Sequence, residues 1–170
     1  MRFCRTITVI CLLTVTLVLS GCSGSTSSYT TPPENFSLED AGKMNLKMVD
    51  MGKLTKTRIN DVSGVSLNKY GQGYDIKYRY LNSNITVKIV KFNSPARGDR
   101  YWAKWVDNGN YRVTSQNGAS VVSLQTKRYS VKAWQKDSWF TYIGVPTDIS
   151  NHKELMEQIR EYINYQYQEL

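Results

Sequence analysis

Beyond residue 22 the 170-residue sequence has no cysteine: its three, Cys4, Cys11 and Cys22, all fall at the start. Residues 23–170 can therefore form no disulfide, offer no thiolate nucleophile and build no cysteine metal site, so the fold must hold through its hydrophobic core. Histidine is nearly absent as well. His152 is the only one, set among Asn151, Lys153 and Glu154 at the mouth of an expected helix, where it reads as a solvated or capping residue. There is no Gly-x-Ser-x-Gly elbow, no glycine-rich phosphate loop and no zinc-binding helix motif. Gly71-Gln72-Gly73 is an isolated glycine pair, expected in a loop. The longest hydrophobic run, 7–19, is broken by Thr8, Thr14 and Thr16 and falls short of the roughly 20 residues that cross a bilayer. The lysines and arginines are dispersed, with Lys127-Arg128 the longest cluster, so no nucleic-acid partner is expected.

What is present at the start has a definite order. Arg2 and Arg5 precede the apolar run, small residues follow it, and Leu19-Ser20-Gly21-Cys22 closes it. That order is the layout of a secretory signal, and the last four residues resemble the lipobox of prokaryotic lipoproteins. The resemblance implies cleavage between Gly21 and Cys22 and lipidation of the Cys22 thiol, which puts a multi-chain anchor on the new first residue. It implies an extracytoplasmic protein held on the cell membrane or, because Ser23 rather than an aspartate follows, on the outer membrane of a two-membrane bacterium.

Without Arg2 and Arg5 the net charge falls from +8 to +6. A moderately basic domain beside a membrane is drawn to anionic headgroups or acidic polymers, and the same charge also serves plain solubility. The expected organisation is a signal peptide over 1–21, a lipidated cysteine and flexible Ser/Thr/Pro tether over 22–35, and one domain over 36–170. The tether expectation rests on low hydrophobicity, which cannot offset the entropy of ordering. Asn35-Phe36-Ser37 and Asn84-Ile85-Thr86 fit the N-glycosylation acceptor pattern.

Hydrophobic spacing predicts a first helix over 37–53, capped by Ser37 and broken or ended by Gly42 and Gly52. From residue 59 the period changes to two. Tyr74, Ile76, Tyr78 and Tyr80 alternate with charged residues, and Ile85, Val87 and Ile89 form a second strand after a turn at Asn82-Ser83-Asn84. A helix over 96–107 follows, with Ser94 as cap and Pro95 at its first position. Strands are predicted over 111–115, 119–126, 129–135 and 139–145, with Asn117-Gly118 as a type I′ hairpin turn. A last helix over 151–167 carries Leu155, Ile159, Tyr162 and Ile163 on one face. Tight hairpins dictate an antiparallel sheet, so the expected fold is a single α+β domain with about five to six strands and helices packed on them. From Ile85 to Tyr167 the order strand, helix, meander, helix is similar to the Mog1/PsbP-like fold.

Twelve tyrosines and four tryptophans stand against only four phenylalanines. Rings with polar tips suit stacking on sugars or contact with a partner. Trp139, Tyr142 and Trp102 are the candidate contacts, whereas Trp105 and Trp134 recur with the core set. Asp75, Asp99, Asp107 and Asp137 are scattered carboxylates that could pair only through space. The expected function is a non-enzymatic binding or accessory module facing an envelope protein or polysaccharide. It would be monomeric, without metal or cofactor, and held to the membrane through lipid on Cys22. Solute or glycan binding through exposed aromatics is the alternative, and a hydrolase comes third.

Overall fold

The computed structural model describes residues 28–33, 35–44, 46 and 51–168. The signal peptide, Gly21, Cys22, the first part of the expected tether and residues 45 and 47–50 of the expected first helix lie outside the described residues. A seven-stranded antiparallel sheet organises the rest. Its strands are β1 (Gly52–Ile59), β4 (Gly71–Tyr80), β5 (Ser83–Phe92), β6 (Val113–Gln116), β7 (Ala119–Gln125), β8 (Tyr129–Lys136) and β9 (Trp139–Pro146). The spatial order is β1-β4-β5-β9-β8-β7-β6, and a small hairpin of β2 (Asp61–Val62) and β3 (Val65–Ser66) stands beside it. The fold is thus a single α+β domain as expected, with one strand more in its sheet than the sequence indicates.

Each local signal has a physical outcome. Tyr74, Ile76 and Tyr78 are buried while Lys77 and Arg79 face out, so one face of β4 enters the core. Asn117 and Gly118 both take positive φ, +51° and +76°, and close the β6–β7 hairpin as a type I′ turn requires. Helix α2 (Pro95–Gly109) begins at Ser94, whose hydroxyl accepts from the Arg97 amide. It ends at Asn110, in the left-handed conformation that commonly stops helices. Gly98, Tyr101, Trp102 and Trp105 form its buried stripe. Helix α3 (His152–Gln168) buries Leu155, Ile159 and Ile163 as its spacing predicts.

The two helices lie on opposite faces of the sheet and define two cores. On one face α3 covers Tyr78, Ile85, Val87, Trp134 and Ile143. On the other, α2 and the β2–β3 hairpin cover Val90, Phe92, Val122 and Phe140. A sheet buried on both faces explains why β9 reads as a nearly continuous apolar run rather than strict alternation.

Three expectations are corrected. The first helix is one turn, α1 (Leu38–Ala41), with Ser37 and Asp40 forming a reciprocal capping box. From Gly52 the chain is already strand β1, where the helix was expected to reach residue 53. Gly71-Gln72-Gly73 opens β4 rather than a loop. A Cβ at Gly71 would lie 2.3 Å from the Lys91 carbonyl oxygen, so glycine there serves close strand approach. Most consequentially, residues 28–33 pack as a strap against α3 and β8. Tyr29 is 2 % exposed, its ring centroid 5.4 Å from that of Trp134. The Thr30 amide donates to Asn164 Oδ1 at 3.2 Å, and Lys136 Nζ donates to the Tyr29 carbonyl. Burial of one large ring and specific hydrogen bonds outweigh the polar composition that suggested a flexible tether.

Candidate functional site

The two cores decide the fate of the candidate aromatics. Trp139 is 6 % exposed, with Phe36 edge-on at 5.7 Å and the Lys91 ammonium 5.1 Å from its ring centre. Lys91 is itself fixed, donating to the Phe36 carbonyl at 2.8 Å. Trp102 is 7 % exposed between Trp105 and Phe140. Both are core residues, and the expectation that they contact a ligand through exposed rings is corrected. Tyr142 is half-buried on the α2 face. Burial pushes its hydroxyl up to about 12, with Tyr111, Tyr129 and Asp75 adding to the shift. Asn35 and Asn84 are both exposed.

Of the scattered carboxylates, Asp75 and Asp99 are held by side-chain partners. Asp75 accepts from Lys88 at 2.9 Å across the β4–β5 pair. Gln135 Nε2 donates both to Asp99 Oδ1 and to the main-chain oxygen of Asp137, which brings those two acids near one another at the β8–β9 turn. His152 Nδ1 donates to the Ile149 carbonyl at 3.0 Å, a contact within the loop entering α3. Among the described residues no three His, Cys, Asp or Glu side chains are grouped closely enough to hold a metal ion.

The surface feature that the sequence gives no warning of lies at the opposite end of the sheet from the strap. Three connections meet there: the β4–β5 turn, the β7–β8 turn and the segment from β9 to α3. They enclose an open cleft of about 400 Å³ lined by Ser83, Asn84, Lys127, Arg128, Tyr129 and Asp148, among others. Its geometry is held by two threonines. Thr126 Oγ1 accepts from the Arg128 and Tyr129 amides at 3.2 and 2.9 Å, and Thr147 Oγ1 donates to the Lys127 carbonyl at 2.8 Å. The backbone of the Lys127-Arg128 turn is thereby satisfied while both side chains project from it. Neither has an ionic partner among the described residues. Asp148, the acid in the cleft, accepts from Ser83 Oγ at 3.3 Å.

Beside this cleft the β4–β5 hairpin turns at Leu81-Asn82, one residue earlier than the sequence suggests. Leu81 sits at φ +51° and is 75 % exposed. Leucine is poorly suited to left-handed backbone, where Cβ crowds the following carbonyl, and it is equally poorly suited to water. The signal for it is visible in retrospect: a leucine stands where a two-residue turn would take Gly, Asn or Asp. Tyr129, 44 % exposed, completes the apolar part of this surface.

Two further cavities have different character. One of about 330 Å³ runs between β7, β8 and α3, lined by Ser130, Lys132, Lys153, Met156 and Glu157. Its acid, Glu157, is paired with both Lys132 and Arg160. Burial works against the Glu157 charge, but those two cations hold its carboxyl below the usual range. Another of about 450 Å³ lies between the strap and the start of α2, lined by Thr31, Pro32, Lys91, Pro95, Asp137 and Trp139.

No family model matches the chain, and no curated protein matches it. Among solved structures it is similar to a GTP binding regulator from Thermotoga maritima, with a TM-score of 0.55 and 16 % sequence identity over 75 % of this chain and 87 % of that one. That likeness is one of fold. No helix among the described residues is long and apolar enough to cross a membrane.

Proposed function

We propose that this chain is a lipid-anchored envelope protein whose α+β domain, of Mog1/PsbP-like type, works as a non-enzymatic binding or accessory module. The observation that carries the proposal is Leu19-Ser20-Gly21-Cys22 behind a basic start and a short apolar run. The domain's own features favour this over glycan binding through exposed aromatics. All four tryptophans, Trp102, Trp105, Trp134 and Trp139, are 7 % exposed or less, so none offers a face to a sugar ring. A nucleotide-binding reading finds no support in Gly71 and Gly73, which are strand residues pressed on the backbone of β5.

The anchor acts by local concentration, keeping the domain close to its target without new contacts. Because the strap is docked from residue 28, the connection to Cys22 is six residues rather than a dozen. It spans at most about 20 Å. The domain is thus held close to the bilayer.

Cell fractionation tests the anchor. Cys22→Ser should move the protein from the membrane pellet to the soluble fraction while leaving it folded. A variant that still sediments with membranes after a high-salt wash would overturn the proposal. Crosslinking the lipidated protein in cells, followed by mass spectrometry, would then identify an envelope partner.

A further inference from the structure

We infer that the end of the domain bearing Leu81, Lys127, Arg128 and Tyr129 docks onto the surface of a bilayer containing anionic phospholipid, with Leu81 entering the headgroup layer. Three observations point there. Leu81 combines left-handed backbone with 75 % exposure at the tip of a hairpin. Such doubly unfavourable residues persist where a partner compensates them. Lys127 and Arg128 stand on the neighbouring turn without ionic partners among the described residues, their backbone fixed by Thr126 and Thr147. Tyr129 adds an exposed ring with a polar tip, the residue type enriched at membrane interfaces. Arg79 lies beside them and braces the turn by donating to the Asn82 carbonyl at 3.2 Å. Asp148 is the opposing charge in the cleft, and it is bonded to Ser83.

The shape of this surface separates a membrane from a protein partner. Leu81 is exposed at the tip of a hairpin, with Arg79 bonded to its turn and Lys127 and Arg128 in the cleft that Ser83 and Asn84 of the same hairpin line. A rigid partner would need a matching pocket, whereas a fluid interface accepts a single apolar side chain and pays attention only to its charged surroundings. The length of chain outside the described residues fits as well. Ser28 is held at Arg160, which lies eight residues, or about 12 Å of helix, from the start of α3 beside the cleft. Cys22 reaches about 20 Å further. The lipid and the tip can therefore touch the same bilayer. The inference rests on the lipid-anchor proposal for its biological setting, but its test does not.

The test uses residues 22–170 carrying Cys22→Ser, so that no lipid is attached, in co-sedimentation with phosphatidylcholine vesicles and with mixed phosphatidylcholine–phosphatidylglycerol vesicles. Binding should be confined to the mixed vesicles and weaken with salt. Lys127→Gln and Arg128→Gln should each lower the partition coefficient roughly fivefold, the worth of one basic residue near an anionic surface. Leu81→Asn should lower it several-fold while leaving the circular dichroism spectrum unchanged. Equal binding by Leu81→Asn and the unsubstituted protein would overturn the inference, as would indifference to phosphatidylglycerol. Absence of vesicle binding together with a crosslink from position 81 to an envelope protein would overturn it in favour of a protein partner. None of these results bears on Cys22, whose role is read from fractionation alone.

Discussion

Arg160 Nη1 donates to the carbonyl oxygen of Ser28 at 2.9 Å, joining residues 132 positions apart. The guanidinium is almost fully buried and lies 5.4 Å from the centre of the Tyr29 ring, and Asn164 donates to the same carbonyl. Residues 28–33 are therefore part of the folded domain.

If so, Tyr29→Ala should destabilise the domain by about 2–4 kcal/mol, the range for truncating a large buried side chain. Urea unfolding followed by tryptophan fluorescence measures it. A tether without tertiary contacts would give no change in the midpoint.

Arg160→Met tests the same junction from the helix side. It removes one of the two donors to Ser28, leaving Asn164, and one of the two cations on Glu157, leaving Lys132. A loss of about 1–3 kcal/mol is expected from leaving the Ser28 carbonyl with one donor fewer, since Glu157 is half exposed and still held by Lys132. A double-mutant cycle with Tyr29→Ala should show strong coupling, and additive losses would mean that the two ends of the contact are independent.

Leu81→Asn should raise stability by about 1 kcal/mol, because asparagine tolerates the left-handed conformation that leucine resists. A higher urea midpoint combined with weaker vesicle binding is the expected pairing. A lower midpoint would show that Leu81 is supported by contacts within its own domain.

The legible parts of this fold are those fixed by neighbours in the chain. Asn117-Gly118 sets its own turn, Ser94-Pro95 its own helix start, and the 74–80 alternation its own face. Strand β1 was not legible, because nearly all of Gly52–Ile59 is exposed and its register comes from β4 rather than from an apolar pattern. The strap hides for the opposite reason: Tyr29 is the one large ring in a run of serines, threonines and prolines, and its burial depends on Trp134 and Arg160. The burial of Trp139 is hidden in the same way, since Phe36 and Lys91, both distant in sequence, pack on its ring. The Leu81 surface draws on three connections distant in sequence, so no spacing announces it.

Alkaline titration probes both cores. Burial pushes the hydroxyls of Tyr78, Tyr101 and Tyr167 up, and that of Tyr142 to about 12. An unfolded tyrosine ionises near 10. Above that pH the folded state retains protons that the unfolded state has lost, so this stabilisation, intact below pH 10, falls away as pH rises toward 12. Ultraviolet phenolate absorbance should show exposed tyrosines ionising reversibly and the buried ones only with unfolding. A single transition of all twelve near pH 10 would contradict their burial.

Phe140 is fully buried, with Tyr101, Trp102 and Trp105 within 6.2 Å between ring centres. Phe140→Ala should cost about 3–5 kcal/mol. Near-ultraviolet circular dichroism should lose the signal of the tryptophan pair, and an unchanged spectrum would argue against this packing.

The place of β9 in the sheet makes the domain's assembly a matter of timing. It is the middle strand of seven, and residues 86–91 reach the later half of the sheet only through residues 139–144. A chain emerging amino end first from a ribosome or a translocation channel therefore carries two half-sheets with no strand to join them until β9 arrives. Until then it stays threadable, in the extended form a narrow channel admits. Nascent chains stalled with residue 138 just emerged should be cut readily by protease, and chains exposed through residue 168 should resist.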